Sequence, residues 1–293
     1  MVGCADGAFP ARDAPWAHTA VTAAGRTPRA DRWPGPTAAR LRRVPPSASA
    51  SSAADQLPAR AAAVWAALDP LVGAGHPLRV LDVGGGSGNS AVRLARMGHD
   101  VTVVDPSADA LATLNRRAET AGVGSRVHGV QGDGDRLHEV VPTGPDGGYD
   151  LALCHSVLEV VDDPATTLRE LARALRPGGT ASVASANRAG AVLARAVAGH
   201  PVEALALLED RDPAPRRARR PARRRFAPDD LLALVEAAGL QPGSWRGVSV
   251  VADLLDVASG ADPEAVRRLE LALAGSSPYR DVAAGLHLLA TRP

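Results

Sequence analysis

The chain has 293 residues, of which 45% are hydrophobic, enough for one large domain with a sizeable core. Every one of its 33 basic residues is Arg, and Lys is absent from the sequence. The lack of Lys excludes P-loop nucleotidases and enzymes that form a Schiff base with their substrate or with pyridoxal phosphate.

The net charge of +1 conceals an uneven distribution along the chain. Residues 1–60 have a net charge of +4, and residues 211–225, with 8 Arg and 1 Asp, have a net charge of +7. The remaining residues have a net charge of −10. A local basic segment on an acidic body says more about interaction partners than the near-zero total does.

The two cysteines, Cys4 and Cys154, are too few and too far apart for a disulfide framework. No apolar run is long enough to cross a membrane, and Asp6, Arg12 and Asp13 interrupt any signal-peptide core at the start of the sequence. We therefore expect a cytoplasmic protein without a membrane partner.

Residues 1–54 are rich in Ala, Pro, Arg and Ser and show no sustained periodicity, so we expect them to be a disordered extension. Residues 55–293 are expected to form the folded domain, beginning with a helix at 56–72. From Arg79 onward, short apolar runs alternate with amphipathic segments. The predicted strands are residues 79–83, 100–104, 126–131, 149–154, 180–185, 244–251 and 285–290.

Helices are predicted between these strands, with Ser107 as the N-cap of the second. This alternation predicts an α/β fold with a seven-stranded, mostly parallel sheet and helices on both faces. Residues 211–225 contain three Pro and are predicted to be a loop. The predicted helices from Arg79 onward are residues 87–97, 107–121, 164–175, 189–198, 202–208, 228–238 and 263–274.

A glycine-rich motif, VLDVGGGSGNS, follows the first predicted strand at residues 80–90. Asp82 stands near the strand end, and Gly84 and Gly86 allow the backbone to turn tightly and approach a ligand closely. A dinucleotide fingerprint would need Gly or Ala at position 89, where this chain has Asn. We therefore expect Asp82, Gly84 and Gly86 to lie at a cofactor site of another kind.

Polar residues follow the next strands at the same edge of the predicted sheet. Asp105 ends the second strand, 19 residues after Gly86, where a carboxylate can accept from both ribose hydroxyls of a nucleoside. Gly134 and Asp135 follow the third strand, and Asp135 can accept from an adenine amine. His155 follows the fourth strand and reaches the same crevice. These residues predict a nucleoside-binding crevice at the carboxyl ends of the strands.

In this order and spacing, the motifs resemble those of class I S-adenosylmethionine-dependent methyltransferases, over about 215 residues from Arg79. The resemblance implies a Rossmann-like fold and S-adenosyl-L-methionine as cofactor. Methyl transfer from a sulfonium needs alignment and exclusion of water rather than a catalytic triad. We therefore name no catalytic residue. The 8 His lack the spacing of metal ligands, so we expect no metal.

A narrower resemblance rests on CHSVLEVVDDP at 154–164, ANRAGAVLARAVAGHP at 186–201 and the Arg-rich run before a helix ending EAAG. The C-terminal segments GVSVVADLL and SPYRDVAAGLHLLATRP extend it. Together they resemble the tRNA 5-carboxymethoxyuridine methyltransferase family, whose members convert a carboxymethoxy group on a wobble uridine to its methyl ester. That resemblance implies cofactor contacts by Arg60, Gly84, Gly85, Asp105, Gly134, Asp135 and His155.

The resemblance also implies tRNA as a partner, with residues 216–225 meeting RNA phosphates. A carboxylate acceptor is already nucleophilic at pH 7, and an Arg fork can hold it. The family's Tyr and Arg before Pro228 have no clean match, and Arg224 and Arg225 are the nearest candidates for substrate binding.

Two other interpretations remain open at this stage. The first is a small-molecule methyltransferase of secondary or cofactor metabolism, which shares the cofactor motifs and is favoured by the missing Tyr and Arg. The second is a cofactor-binding regulator without catalytic activity, which a turnover assay would distinguish. The Arg-rich segment and the family-like C-terminal half favour the RNA substrate.

Overall fold

A computed structural model describes residues 58–142, 148–209, 223–255 and 260–293. Within these ranges the chain forms a seven-stranded sheet in the order β3-β2-β1-β4-β5-β7-β6. Strands β1 to β5 pair in parallel, and β7 runs antiparallel to both β5 and β6. The strands are β1 (Arg79–Val83), β2 (Asp100–Asp105), β3 (Val127–Gln131), β4 (Tyr149–His155), β5 (Leu175–Ala186), β6 (Gln241–Val248) and β7 (Gly285–Thr291).

The strand order reverses between β1 and β4. The chain runs outward from β1 through β2 to β3 and then returns to the other side of β1 as β4. In an open parallel sheet this reversal leaves a crevice at the carboxyl ends of the strands, where ligands bind. The sheet topology therefore puts the predicted cofactor residues at one edge.

Helices cover both faces of the sheet, as the sequence predicts. Successive residues of a strand point to opposite faces, and the two core clusters reflect this. Val80 packs with Leu94 and Leu114 on one face, while Leu81 packs with Leu168 and Leu231 on the other. The helices are α1 (Ala62–Val72), α2 (Asn89–Arg96), α3 (Ala108–Thr120), α4 (Leu137–Val140), α5 (Pro164–Ala174), α6 (Arg188–Val197), α7 (Pro201–Glu209), α8 (Pro228–Ala237) and α9 (Pro263–Ala274).

Side-chain caps define where several helices begin. The Ser107 hydroxyl accepts from the Ala110 N–H at 3.2 Å, which confirms Ser107 as the N-cap of α3. Asp163 caps α5 and Asp262 caps α9, and in both helices a Pro occupies the first turn, where its missing N–H costs nothing.

Several element boundaries differ from the sequence prediction. Strand β6 spans Gln241–Val248 rather than residues 244–251, because Ser249 has a left-handed φ of 58° that ends the strand. Helix α2 begins at Asn89 rather than at residue 87, because Gly88 adopts a left-handed φ of 79° that a helix cannot continue. Strand β5 begins at Leu175 rather than at 180, because Leu175 already pairs with Tyr149 before a register shift in β4. The predicted extension, residues 1–54, and most of the predicted loop at 211–225 lie outside the described residues.

Helices α6 and α7 pack against each other and extend from the end of β5. Gly190 of α6 is buried, and a Cβ on it would collide with the backbone carbonyl of Ala283, just before β7. Of the described helices, none is long and apolar enough to span a membrane.

Replacing Gly190 with Ala should destabilise the fold, because the added methyl group must push α6 away from a backbone carbonyl that cannot rotate aside. We expect a loss of about 1–3 kcal/mol in the free energy of unfolding. Urea denaturation measures it. Gly275→Ala is the control, because a Cβ there meets nothing within 4 Å and its φ of −96° suits any residue. Equal stability of both variants would contradict the close packing of α6.

Candidate functional site

Two cavities meet at the carboxyl edge of the sheet. The β2 cavity, of about 540 Å³, lies at the ends of β1, β2 and β3, and the β5 cavity, of about 390 Å³, lies at the ends of β4, β5, β6 and the start of β7. Ser156, directly after β4, lines both of them. Ser156 is therefore the residue at which the walls of the two cavities join.

Asp105 fixes the loop that follows β1. One carboxylate oxygen accepts from the N–H of Gly86 at 2.9 Å, and the other accepts from the N–H of Ser107 at 2.9 Å. Asp105 is itself buried and lines the β2 cavity. The same carboxylate thus joins the loops after two neighbouring strands and faces the space where a ligand would bind.

The glycine loop leaves no room for side chains. Gly84 has a φ of 65°, and a Cβ there would lie 2.5 Å from the Val157 side chain. A Cβ on Gly85 would lie 2.5 Å from a carboxylate oxygen of Asp82, beneath the loop. That oxygen is buried and has no hydrogen-bond partner among the described residues. Burial and the nearby Asp105 raise the pKa of Asp82 to about 7.

The predicted cofactor residues fall into three groups. Four line the β2 cavity, two line the β5 cavity, and the other three lie in or under the glycine loop without lining either. The structure therefore brings all nine to the same sheet edge, although only six face a cavity. The three groups are Gly84, Asp105, Gly134 and Asp135; Arg60 and His155; and Asp82, Gly85 and Gly86.

His155 is held by a chain of hydrogen bonds that ends in the core. Its Nε2 lies 2.8 Å from the hydroxyl of Ser182, and that hydroxyl lies 2.8 Å from Nε2 of His287. Burial lowers the pKa of His155 to about 4, and burial together with His155 and Arg246 holds the pKa of His287 well below its usual range. Both imidazoles are therefore neutral at pH 7.

Arg224 and Arg225 do not line either cavity, so the structure differs here from the sequence assignment. The Arg224 guanidinium donates to the carbonyls of Val161 and Asp162, the latter at 2.9 Å, in the loop after β4. These bonds occupy the Arg224 guanidinium with backbone carbonyls. Arg223, which the sequence placed only in the run 216–225 expected to meet RNA phosphates, lines the β5 cavity instead.

Glu159 is a buried carboxylate in the wall of the β5 cavity. One of its oxygens accepts from the N–H of Ala186 at 2.6 Å, and the other has no partner among the described residues. Burial raises the pKa of Glu159, while the bond from Ala186 and the charge of Arg223 favour its ionised form. Only its position after the fourth strand could have drawn attention to it.

Two non-glycine residues with left-handed backbone line the β5 cavity: Ser156, with a φ of 59°, and Ser249, with a φ of 58°. Such conformations are costly for Ser and cluster at functional sites. The turn at Ser249 is stabilised by Glu270 of α9, whose carboxylate accepts from the N–H groups of Val250 and Val251 at 2.9 and 2.7 Å. No local sequence signal marks either turn.

No three His, Cys, Asp or Glu side chains in the described ranges come together as metal ligands would. Cys154, the described cysteine, is buried in β4, where burial raises the pKa of its thiol far above the ordinary range. A neutral buried thiol is a packing group rather than a nucleophile.

Buried neutral His287 should make the fold acid-sensitive. The unfolded chain takes up a proton near pH 6.5 and the folded chain does not, so stability falls as the pH falls from 7 to 5. His287 contributes to that loss by at most about 1.4 kcal/mol for each pH unit below 6.5.

Urea denaturation at pH 7 and pH 5 tests this, with His287→Gln expected to reduce the difference between the two values. Asp82 and Glu159, whose raised pKa values act in the opposite direction, contribute equally to wild type and variant. His128→Gln, at an exposed position on β3, is the control. An unchanged pH difference in His287→Gln would mean that the buried ring is already protonated.

Known proteins resemble this chain over part of its length. Residues 80–179 match a family model described as a methyltransferase domain. The chain is 36% identical over 143 residues to tRNA 5-carboxymethoxyuridine methyltransferase of Escherichia coli K12, covering 48% of this chain and 53% of the relative. It is 37% identical over 123 residues to ubiquinone biosynthesis O-methyltransferase of Xanthomonas oryzae, covering 41% and 48%. The chain thus spans about half the length of the curated relatives it matches.

Solved structures share the fold at low sequence identity. An S-adenosylmethionine-dependent methyltransferase from Mesorhizobium loti aligns with a TM-score of 0.53 and 20% identity over 78% of this chain and 98% of the other. The [4+2]-cyclase SpnF aligns with a TM-score of 0.50 and 22% identity, covering 78% and 81%. Residues 80–179 of this chain thus match a methyltransferase domain, within a seven-stranded fold that is shared with solved S-adenosylmethionine-dependent methyltransferases.

Proposed function

We propose that this protein transfers a methyl group from S-adenosylmethionine to a carboxylate of a modified wobble uridine in tRNA. The observation that carries the proposal is a pair of guanidinium groups, Arg60 and Arg223, in the wall of a cavity that adjoins the cofactor edge. The relative in Escherichia coli supplies the substrate class at 36% identity.

The residues of the β2 cavity fit the adenosine half of the cofactor. Each Asp105 oxygen accepts one backbone N–H and keeps a second lone pair, so the carboxylate can also accept from the two ribose hydroxyls. Asp135, on the wall of the same cavity, can accept from an exocyclic amine. Arg60, on the wall of the neighbouring cavity, can pair with the carboxylate of the methionine half.

The cofactor supplies an activated methyl group on a sulfonium, so the protein has to hold and align the acceptor. An acceptor carboxylate is ionised at pH 7 and needs no general base. Arg223 can hold one of its oxygens while the other is free to react. His155 remains neutral and so adds no positive charge beside the sulfonium.

Attraction of RNA needs a local positive surface on an otherwise acidic chain. A groove of about 490 Å³ between α2 and α3 is lined by Arg96, Arg116 and Arg117, and no Asp or Glu is among its lining residues. Asn89, in the wall of this groove, directly precedes Ser90, which lines the β5 cavity. Phosphates of an RNA bound at the β5 cavity would find countercharges there. Residues 216–222 of the basic segment lie outside the described residues.

A second candidate function is methylation of a hydroxyl group on a small molecule. Glu159 favours it, because a buried carboxylate with a raised pKa in the β5 cavity can take the proton from a hydroxyl acceptor. The ubiquinone biosynthesis O-methyltransferase of Xanthomonas oryzae is a relative at similar identity. If the acceptor is a hydroxyl group, Glu159 acts as a base and affects the rate. If the acceptor is a carboxylate, no base is needed and Glu159 affects only binding of the acceptor.

Asp105→Asn should weaken binding of S-adenosylmethionine by about 10- to 100-fold, because an amide has a single acceptor oxygen and its NH₂ group opposes a backbone N–H. Isothermal calorimetry measures the affinity. Asp100→Asn, at the exposed opposite end of β2 beside Arg126, is the matched control and should bind normally. Full affinity in a folded Asp105→Asn protein would reject Asp105 as the ribose anchor.

The substrate proposal predicts a labelled methyl ester in tRNA that carries 5-carboxymethoxyuridine when it is incubated with the protein and labelled cofactor. Nucleoside mass spectrometry detects the product. Arg223→Gln should raise the KM for tRNA about 10- to 100-fold, because a charge-assisted bond to the acceptor is lost. Arg267→Gln, on the exposed side of α9, is the control.

Two outcomes would contradict this assignment. A wild-type protein that leaves the tRNA unmodified but methylates a hydroxylated small molecule would favour the second candidate. A larger increase in the KM for tRNA in Arg225→Gln than in Arg223→Gln would show that Arg225, the residue selected from the sequence, binds the substrate.

A further inference from the structure

Three buried side-chain oxygens, on residues that line the β5 cavity, have no hydrogen-bond partner among the described residues. They are a carboxylate oxygen of Glu159 and the hydroxyls of Ser185 and Ser249, and each residue is at most 6% exposed. Native proteins give almost every buried polar atom a partner from the protein, from water or from a ligand. Three such atoms on one cavity wall indicate a ligand with matching polar groups.

The framework around these atoms holds them at the cavity. The second Glu159 oxygen accepts from the N–H of Ala186, the residue after Ser185, so the carboxylate lies beside the end of β5. Ser249 lies after β6, opposite Ala284 at the start of β7, in the turn that Glu270 stabilises. Two strand spacings, about 10 Å, separate β5 from β6. The three residues, which we call the polar band, therefore lie around the ends of β5 and β6, with the start of β7 between those two strands.

The chemistry of the band restricts its ligand. An ionised carboxylate can only accept, so the group opposite Glu159 must donate an N–H or O–H. Serine hydroxyls can donate, so carbonyl oxygens suit Ser185 and Ser249. Arg223 lines the same cavity and attracts a negative group. The ligand thus has a hydrogen-bond donor for Glu159, acceptor oxygens for Ser185 and Ser249, and an anionic substituent for Arg223.

We propose that Glu159, Ser185 and Ser249 recognise the imide edge of a uracil base, with Glu159 accepting from its N3–H. This inference rests on the proposed function and deepens it from a carboxylate acceptor to a particular base. Ser185, beside Glu159, donates to the adjacent ring carbonyl, and Ser249 donates to an acceptor farther along the nucleotide. A cytosine would present a lone pair at N3 to the Glu159 carboxylate and be rejected.

Two RNA substrates test the inference with the full chain. Both are anticodon stem-loops with 5-carboxymethoxyuridine, and one of them carries a methyl group on N3 of that base. The wild type should show kcat/KM at least about 100-fold lower for the N3-methylated RNA, because a site built around a buried acceptor rejects a ligand that lacks the donor. A wild type indifferent to the N3-methyl group would overturn the proposal.

Glu159→Gln should raise the KM for the unmodified stem-loop about 10- to 100-fold with kcat within about threefold of wild type, because a charged acceptor is lost. It should also reduce the discrimination against the N3-methyl base to about threefold. Ser185→Ala and Ser249→Ala should each raise KM by about three- to tenfold. Glu203→Gln, at an exposed carboxylate on α7, is the matched control.

The results separate this inference from the proposed function. A wild type that methylates the stem-loop while Glu159→Gln keeps its KM and its discrimination overturns only the recognition by Glu159. A lower kcat at unchanged KM in Glu159→Gln would indicate that Glu159 acts as a base, and this result would also overturn the inference. A wild type that neither binds nor methylates the stem-loop removes both. Cofactor calorimetry reports folding, and if Glu159→Gln fails to fold, the comparison of the two RNAs with wild type decides the matter.

Discussion

The carboxylate of Asp105 accepts one backbone N–H from the loop after β1 and one from the loop after β2. These two bonds hold the glycine loop in a shape that a side chain on Gly84 would disrupt. They lie where the strand order reverses, so the crevice created by the sheet topology acquires a fixed anionic wall. The position of the β2 cavity, and its closeness to the β5 cavity, depend on these two hydrogen bonds and on the reversal of the strand order.

The other cavity is built on a different principle, with polar groups buried in and behind its wall. Glu270 stabilises the turn at Ser249 through backbone N–H groups, and His287 supports His155 through Ser182. Each of these groups is costly to bury, and each is compensated by a hydrogen bond to the wall. The wall is therefore rigid before a ligand arrives, which lowers the entropy cost of binding.

The sequence predicted the parts of the site that depend on local patterns. The glycine motif and Asp105 follow strands that hydrophobic runs reveal, and strand ends of a parallel sheet meet at one edge. Apart from Arg60 and His155, the wall of the β5 cavity escaped prediction. Glu159, Ser185 and Ser249 come from segments far apart in sequence that only the pairing of β4 with β5 and of β7 with β5 and β6 brings together.

Two further features had no sequence signal. A left-handed backbone at Ser156 cannot be recognised from the residue type, because Ser rarely adopts that conformation. The composition of the basic segment also could not distinguish Arg223, which lines the cavity, from Arg224, which binds backbone carbonyls. Both outcomes depend on where the loop after β4 lies in three dimensions.

The division of the site between its two cavities has an evolutionary consequence. All residues that line the β2 cavity lie within 80–179, the part that matches the family model, whereas Ser185, Arg223 and Ser249 lie beyond it. Substitutions in the later segment can alter the wall of the β5 cavity while the glycine loop and Asp105 stay intact. Lineages that share this architecture can thus diverge in chemistry without rebuilding the first half.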